Sequence, residues 1–242
     1  MRRPVQAVLL SLTGIGLLHA ALFTDLYLRY VKEGLRPLLI VSGVTLLLLG
    51  LAGAVLDRGH ATPTGHAHGH DHTGAPRVAW LLFLPALSLL LYAPPALGAY
   101  TAARSNDKAV REQKGFDPLP ATSPLPMTLT DFTTRVQQDR ELAIKGRSVQ
   151  MTGFVTPAGQ GGSWYLTRII FTCCAADSQT VKVRMYGTEV PPANAWFAVT
   201  GTWHPKGALG TKTAEAALDV RSSKPIAPPV NAYTDDLPLT PS

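Results

Sequence analysis

The sequence is poor in cysteine: two residues in 242, and they are neighbours, Cys173 and Cys174. That excludes a disulfide framework. Adjacent cysteines close only a strained ring, because ordinary disulfide geometry sets the two Cα atoms about 5.5 Å apart, so a thiol pair is the expectation. Charge is also scarce, at 16% of residues, and the net charge of +6 comes from scattered Lys and Arg with no basic run. Neutralising a nucleic-acid backbone takes clustered cations, so no nucleic-acid partner is expected. Nor does the chain contain a Ser/His/Asp signature, a phosphate loop or a paired-carboxylate pattern, and no enzymatic activity is expected.

What is present is concentrated apolar sequence. Residues 1–100 hold three apolar runs, 5–23, 37–56 and 78–97. At about 1.5 Å per helical residue each approaches the roughly 30 Å of a hydrocarbon core. We therefore expect three transmembrane helices over about 5–27, 37–56 and 78–97, in a multi-pass membrane protein. A signal peptide would explain Arg2 and Arg3 before the first run, but the run is too long and a second follows at once. Pro37 suits a first helical turn. Pro85 should kink the third helix and Pro94-Pro95 should end it. His19 and Asp25 fall near the end of the first run, where the interface can hydrate them. Gly43, Gly50, Gly53 and Ala54 would let another helix approach the second run closely, a hint of a membrane partner.

Orientation rests on two opposed signals. Arg2, Arg3, Arg58 and Arg77 share one side, against Arg29, Lys32, Arg36, Arg104, Lys108, Arg111 and Lys114 on the other. That count places the soluble part in the cytoplasm. Arg2-Arg3 ahead of the first helix places it outside, as does the low charge and Pro/Thr/Ala-rich character of the soluble part; we take the extracytoplasmic reading.

Residues 59–74 form a histidine-rich loop containing His60, His66, His68, His70 and His72, five of the seven histidines in the chain. Neutral imidazole suits Zn²⁺, Cu²⁺ and Ni²⁺, and Gly and Ala between the ligands let the backbone fold round an ion. Ordering such a loop costs about 1–2 kcal/mol per residue, so weak, exchangeable binding is expected, as in a loading or sensing loop. A solvated loop with incidental histidines is the bland alternative.

Residues 101–127, with Pro118, Pro120, Pro124 and Pro126, read as an extended linker. A soluble domain over 128–222 should open with a short helix capped by Thr130 or Asp131, with Phe132 and Val136 facing its core. Five strands follow from period-2 alternation: Ser148–Val155, Trp164–Thr172, Val181–Met185, Trp196–Trp203 and Ala214–Val220. With Gly153 and Gly201 where strands bend, they fit a small all-β or α+β domain, an OB-like five-stranded barrel; an open sheet or sandwich is the alternative. Residues 223–242 read as a loosely held Pro-rich tail.

Phe171-Thr172-Cys173-Cys174-Ala175-Ala176-Asp177 lies between two strands. On a regular strand the two sulfurs would point to opposite faces, so they can serve one ion only if the chain bends, which Ala175-Ala176 permits. Thiolates are soft ligands for Zn²⁺ or Cu⁺; Asp177 would add a carboxylate oxygen and His204 a nitrogen. The plain reading is one small buried apolar cysteine with an incidental neighbour. Redox catalysis is disfavoured by Cys-Cys spacing and the lack of a basic neighbour.

The run Arg168-Ile169-Ile170-Phe171-Thr172-Cys173-Cys174-Ala175-Ala176-Asp177, and more loosely Trp196-Phe197-Ala198-Val199-Thr200-Gly201-Thr202, resembles a family of small bacterial membrane proteins described as permease subunits. The apolar N-terminal section and the stretch from His66 to His72 extend the resemblance over nearly the full length. The family carries a C-terminal domain of unknown function and is encoded beside a larger multi-span permease. The resemblance implies an accessory subunit of such a permease. The ligand chemistry adds that a transition metal ion such as zinc is handled. A structural adaptor without metal, or a membrane-tethered thiol-redox protein, are the competing expectations.

Overall fold

The computed structural model describes residues 3–59, 96–105, 111–159 and 162–237. They divide into two compact units, Met1–Tyr27 with Gly34–Ala96, and Leu28–Glu33 with Leu97–Ser242. His60, His66, His68, His70 and His72, and all of the third apolar run but Ala96 and Leu97, lie outside the described residues.

In the first unit two helices pack against each other, α1 (Arg3–Leu22) and α2 (Arg36–Gly59). Helix α1 stops at Leu22, short of the expected 27. Arg36 Nε donates to the Ala21 carbonyl at 2.9 Å and Thr24 Oγ1 to the Ala20 carbonyl at 2.9 Å, satisfying oxygens that have no partner within the helix. The small residues of α2 are used inside the chain. A methyl group on Gly43 would come within 3.2 Å of the Gly14 carbonyl oxygen, and one on Gly50 within 2.8 Å of the Ala7 carbonyl. The glycines read as a hint of a membrane partner thus let α1 and α2 touch backbone to backbone. Among the described residues one segment, Glu33–Val55, with mean hydropathy 2.5, is long and apolar enough to cross a membrane; the apolar helix Gln6–Leu22 is shorter. Leu12, Ile15, Leu38, Val41 and Leu48 remain exposed along the pair.

The second unit is a closed five-stranded barrel. Its strands are β2 (Val149–Pro157), β3 (Trp164–Ile170), β4 (Gln179–Tyr186), β5 (Trp196–Trp203) and β6 (Ala217–Pro225). They pair in the order β2-β3-β4-β6-β5, and a β2–β5 pairing closes the ring. The β4–β6 pair is parallel and the other four are antiparallel. This Greek-key connectivity is consistent with an OB-like barrel and rules out an open sheet or sandwich. A two-residue strand β1 (Leu125–Pro126) adds to β2 in parallel.

Closure needs sharp bends, and glycine supplies two of them. Strand β2 pairs with β5 over Val149–Phe154 and with β3 over Phe154–Pro157. At that handover a side chain on Gly153 would sit 2.7 Å from the Thr167 carbonyl oxygen. The β5–β6 register shifts between Thr200 and Gly201, and a methyl group on Gly201 would collide with the Asp219 carbonyl oxygen. Alternating residues, among them Met151, Trp164, Leu166, Val183 and Met185, fill the barrel. Helix α4 (Leu129–Gln138) covers it with Phe132 and Val136, both fully buried, as their spacing requires.

Three boundaries differ from expectation. The N-cap of α4 is Thr128, whose hydroxyl accepts from the Asp131 N–H at 2.9 Å, not Thr130 or Asp131. Over its described residues, 101–105 and 111–127, the linker is no free spacer. Its first residues form a short helix, α3 (Ala99–Arg104), with Ala99 and Ala102 buried. Further on, the carbonyls of Asp117 and Pro120 accept from Arg135 and Arg147, and Met127 is buried. As far as residue 237 the tail is not loose either. Strand β6 runs to Pro225, Tyr233 is buried, and the Asp235 carboxylate accepts from the Leu129 and Thr130 N–H groups at 3.2 and 2.7 Å, where the α4 dipole favours a negative charge. Proline marked both segments as extended, but extended chain also packs well when its carbonyls find donors.

Gly201→Ala is expected to destabilise the barrel by about 1–3 kcal/mol through overpacking, lowering the guanidinium midpoint followed by tryptophan fluorescence. Gly115→Ala, with no atom near the added methyl, should leave that midpoint unchanged; equal midpoints for both variants would contradict the close β5–β6 approach.

Candidate metal site

Strands β3 and β4 pair as far as Ile170 opposite Gln179, and residues 171–178 join them at one rim of the barrel. Phe171 anchors the entry. Its ring stacks on Tyr233 with centroids 4.4 Å apart and planes 6° from parallel, and its N–H donates to the Tyr233 carbonyl at 3.1 Å. Tyr233 is held in turn by its hydroxyl, which donates to the Leu97 carbonyl at 2.9 Å. These rings belong to a small second core with Ala99, Ala102, Phe154 and Ile169.

The bend that the two cysteines require is made by Asp177, which ends a single 3₁₀ turn, Ala175–Asp177. Its Oδ1 accepts from the N–H groups of Thr172 and Cys174, each at 3.1 Å, and its Oδ2 from the N–H of Cys173 at 2.7 Å. Three successive amides therefore point at one carboxylate, a concave anion nest. Strand geometry cannot do this, because successive strand amides point to opposite edges. The sulfurs are correspondingly brought together, with Sγ···Sγ 3.7 Å. Cys173 is exposed, and Cys174 and Asp177 are partly so.

The other side of the loop is held by the segment between α1 and α2. Lys32 N–H donates to the Cys173 carbonyl at 2.9 Å, Ala175 N–H donates to the Tyr30 carbonyl at 2.8 Å, and Val31 lies opposite Cys174 in an antiparallel bridge. Asn231 Nδ2 reaches Glu33 Oε2 at 3.4 Å. The loop thus gains a short strand partner from residues more than 140 positions earlier. Nothing in the side chains of Tyr30-Val31-Lys32 signals this, since the bonds are made by backbone.

Arg168 is a second residue whose role has no sequence signature. It is buried, its Nε and Nη2 donate to the carbonyl and hydroxyl of Thr152 at 2.9 and 2.7 Å, and its Nη1 donates to the Thr234 carbonyl at 3.3 Å. Its guanidinium carbon stands 4.8 Å from the centre of the Trp196 ring. Burial lowers its pKa, an effect opposed by Asp235 and Asp236. Arg168 ties the tail that carries Tyr233 to the barrel directly behind the loop.

Cys173, Cys174 and Asp177 each offer a ligand atom, and the three atoms lie within 4.8 Å of one another, a grouping of metal-binding type among the described residues. His204 is not brought to them. Its Nδ1 pairs with Asp219 Oδ1 at 2.7 Å and its ring stacks on Tyr186 with centroids 4.2 Å apart. Tyr186 ends β4, whereas the cysteine loop precedes its first residue, Gln179. Seven steps of about 3.3 Å separate those ends by roughly 23 Å.

Electrostatics divide the three donors. The Cys173 thiol is pushed up to about 11 by its hydrogen bond to the Asp177 carboxylate and by the Cys174 sulfur, since both favour the protonated form. Desolvation pulls the Asp177 carboxyl upward, but the Cys173 thiol and the backbone amides of Cys174, Cys173 and Thr172 outweigh it and hold the group below its ordinary range. In the metal-free protein the site therefore holds a carboxylate beside a protonated thiol, a poor nucleophile at neutral pH.

Residues 130–234 match the model of one protein family, the DUF1980 C-terminal domain. The match supports the resemblance for the C-terminal domain of unknown function. It spans all five barrel strands, the cysteine loop and the tail as far as Thr234; α1, α2 and the Tyr30–Lys32 segment lie outside it. No curated protein and no solved structure matches the chain.

Alkylation separates a reactive from an inert thiol. Relative to an unperturbed cysteine the Cys173 thiolate fraction at pH 7 falls about 100-fold, and the greater nucleophilicity of a more basic thiolate returns about tenfold. Metal-free Cys173, read by peptide mass, should react about tenfold more slowly than free cysteine, rising with pH until about pH 11. A rate equal to that of free cysteine would contradict the raised pKa, and only a rate above it, from a lowered pKa, would favour the redox reading. Asp177→Ala removes the common acceptor and should abolish hydrogen-exchange protection at the amides of residues 172–174, leaving the barrel amides protected.

Proposed function

We propose that this chain is a membrane-anchored accessory subunit of a multi-span permease and binds a transition metal ion, zinc in preference, through Cys173, Cys174 and Asp177. The observation that carries the metal reading is the spacing of the two sulfurs. Two thiolates bound to Zn²⁺ at about 2.3 Å in tetrahedral geometry stand about 3.8 Å apart, whereas a linear pair at that bond length needs about 4.6 Å. The 3.7 Å separation fits the tetrahedral case without rearrangement.

Asp177 supports the same reading. A carboxylate has about four lone-pair sites, and three are taken by backbone N–H groups. The carboxylate also takes the Cys173 thiol as a hydrogen-bond donor; when that thiol gives up its proton to bind an ion, the remaining lone pair becomes free to do likewise. The cation then reverses the electrostatics that hold the thiol protonated.

Membrane anchoring is supported by the apolar segment Glu33–Val55 and by the exposed apolar faces of α1 and α2. A multi-pass arrangement with the barrel on the extracytoplasmic side is part of the proposal, as is collection of ions by His60, His66, His68, His70 and His72. The permease partner rests on the family resemblance. A second reading, an adaptor that binds a protein without metal, draws on the backbone clamp at Tyr30–Lys32, which stiffens the loop whether or not an ion is bound.

Zinc titration of the full chain in detergent tests the proposal. One site should be lost, with affinity falling at least 100-fold, in Cys173→Ser/Cys174→Ser, while Ala at the five loop histidines removes only weaker binding. Zinc affinity unchanged by the double serine variant would remove the metal reading in favour of the adaptor. Recovery of the full-length protein in the supernatant after detergent-free ultracentrifugation would remove the anchoring.

A further inference from the structure

We infer that the Cys173–Cys174–Asp177 site is a transfer site, which takes and releases its ion through a fourth ligand, a neutral imidazole supplied by another donor. The inference rests on the metal-binding reading above and concerns what that reading leaves open. A tetrahedral ion needs four ligands, and closed protein sites supply all four. Here three ligand atoms come together among the described residues. The loop cannot readily fold over to add more. Its backbone is pinned on one side by Tyr30 and Lys32, on the other by Phe171 against Tyr233, and from within by Asp177. Cys173 is solvent-exposed, so the remaining coordination position is reachable from outside.

Charge selects the incoming ligand. Two thiolates and a carboxylate around Zn²⁺ leave a net charge of −1. A third thiolate would raise this to −2 and meet three negative groups at close range, whereas a neutral imidazole leaves it unchanged. Exchange then proceeds by addition before loss. The imidazole lone pair forms the fourth bond to the ion. A metal–Cys173 bond breaks with both electrons staying on sulfur, and the thiolate takes a proton from solvent. No oxidation state changes. Cys173 leaves first because it is the more exposed sulfur.

The test uses the full chain in detergent with His60, His66, His68, His70 and His72 replaced by Ala, so that added imidazole is in excess over any internal donor. With Co²⁺ bound, a thiolate-to-cobalt charge-transfer band should be present. Free imidazole should shift the visible ligand-field bands saturably, with one equivalent bound and the charge-transfer band retained. With Zn²⁺ bound, transfer to excess EDTA should accelerate in proportion to imidazole concentration, at least tenfold across the titration. A normal charge-transfer band with ligand-field bands that ignore imidazole, together with a zinc release rate independent of it, would overturn the transfer site and leave the binding reading standing. Absence of the charge-transfer band would overturn both.

Discussion

One carboxylate gathers the backbone of the cysteine loop. Asp177 accepts three consecutive amides, from Thr172, Cys173 and Cys174, and the chain there can be neither strand nor helix. Hydrogen bonds to an ionised acceptor are stronger than those between neutral groups, and three on one group fix the direction of the intervening peptides. Two side chains that a strand would send to opposite faces are thereby brought to the same point in space. The chemistry of the sulfurs follows from this backbone arrangement: their spacing, their exposure and the upward shift of the Cys173 thiol all depend on where Asp177 sits.

The barrel's contribution is a stiff rim. Closure through the β2–β5 pairing, with bends at Gly153 and Gly201, fixes where β3 ends and β4 begins, and so sets the ends of the loop. A second core of Phe171, Tyr233, Phe154 and Ile169 supports the loop from one side. The Tyr30–Lys32 segment supports it from another by main-chain bonds. Loops that carry function on rigid scaffolds are common; here the scaffold includes a piece of chain from outside the barrel sequence.

His204 illustrates how donor chemistry without topology misleads. Its residue type and its place at a strand end made it a reasonable fourth ligand. It follows β5, and its ring pairs with Asp219 and stacks on Tyr186 at the far end of β4 from the cysteines. Donor identity is written in the sequence, whereas strand direction relative to the loop is a property of the closed sheet. The glycines of α2 teach the same lesson: their size announced a close helix contact, and only the structure identified α1 as the other helix.

The sequence by itself determined the alternating strands, the presence of a small barrel, the apolar N-terminal segments and the candidate donors Cys173, Cys174 and Asp177. These depend on side-chain period, length and ligand type, which are local and survive in a one-dimensional reading. Tertiary structure alone decided that Thr128 and Asp235 cap α4, that the linker and tail pack instead of trailing, that Arg168 is buried under Trp196, and that Tyr30–Lys32 pairs with the cysteine loop. Each of those depends on backbone carbonyls and amides finding partners far along the chain. Every residue carries the same backbone groups, so their pairing leaves no mark in the order of the side chains.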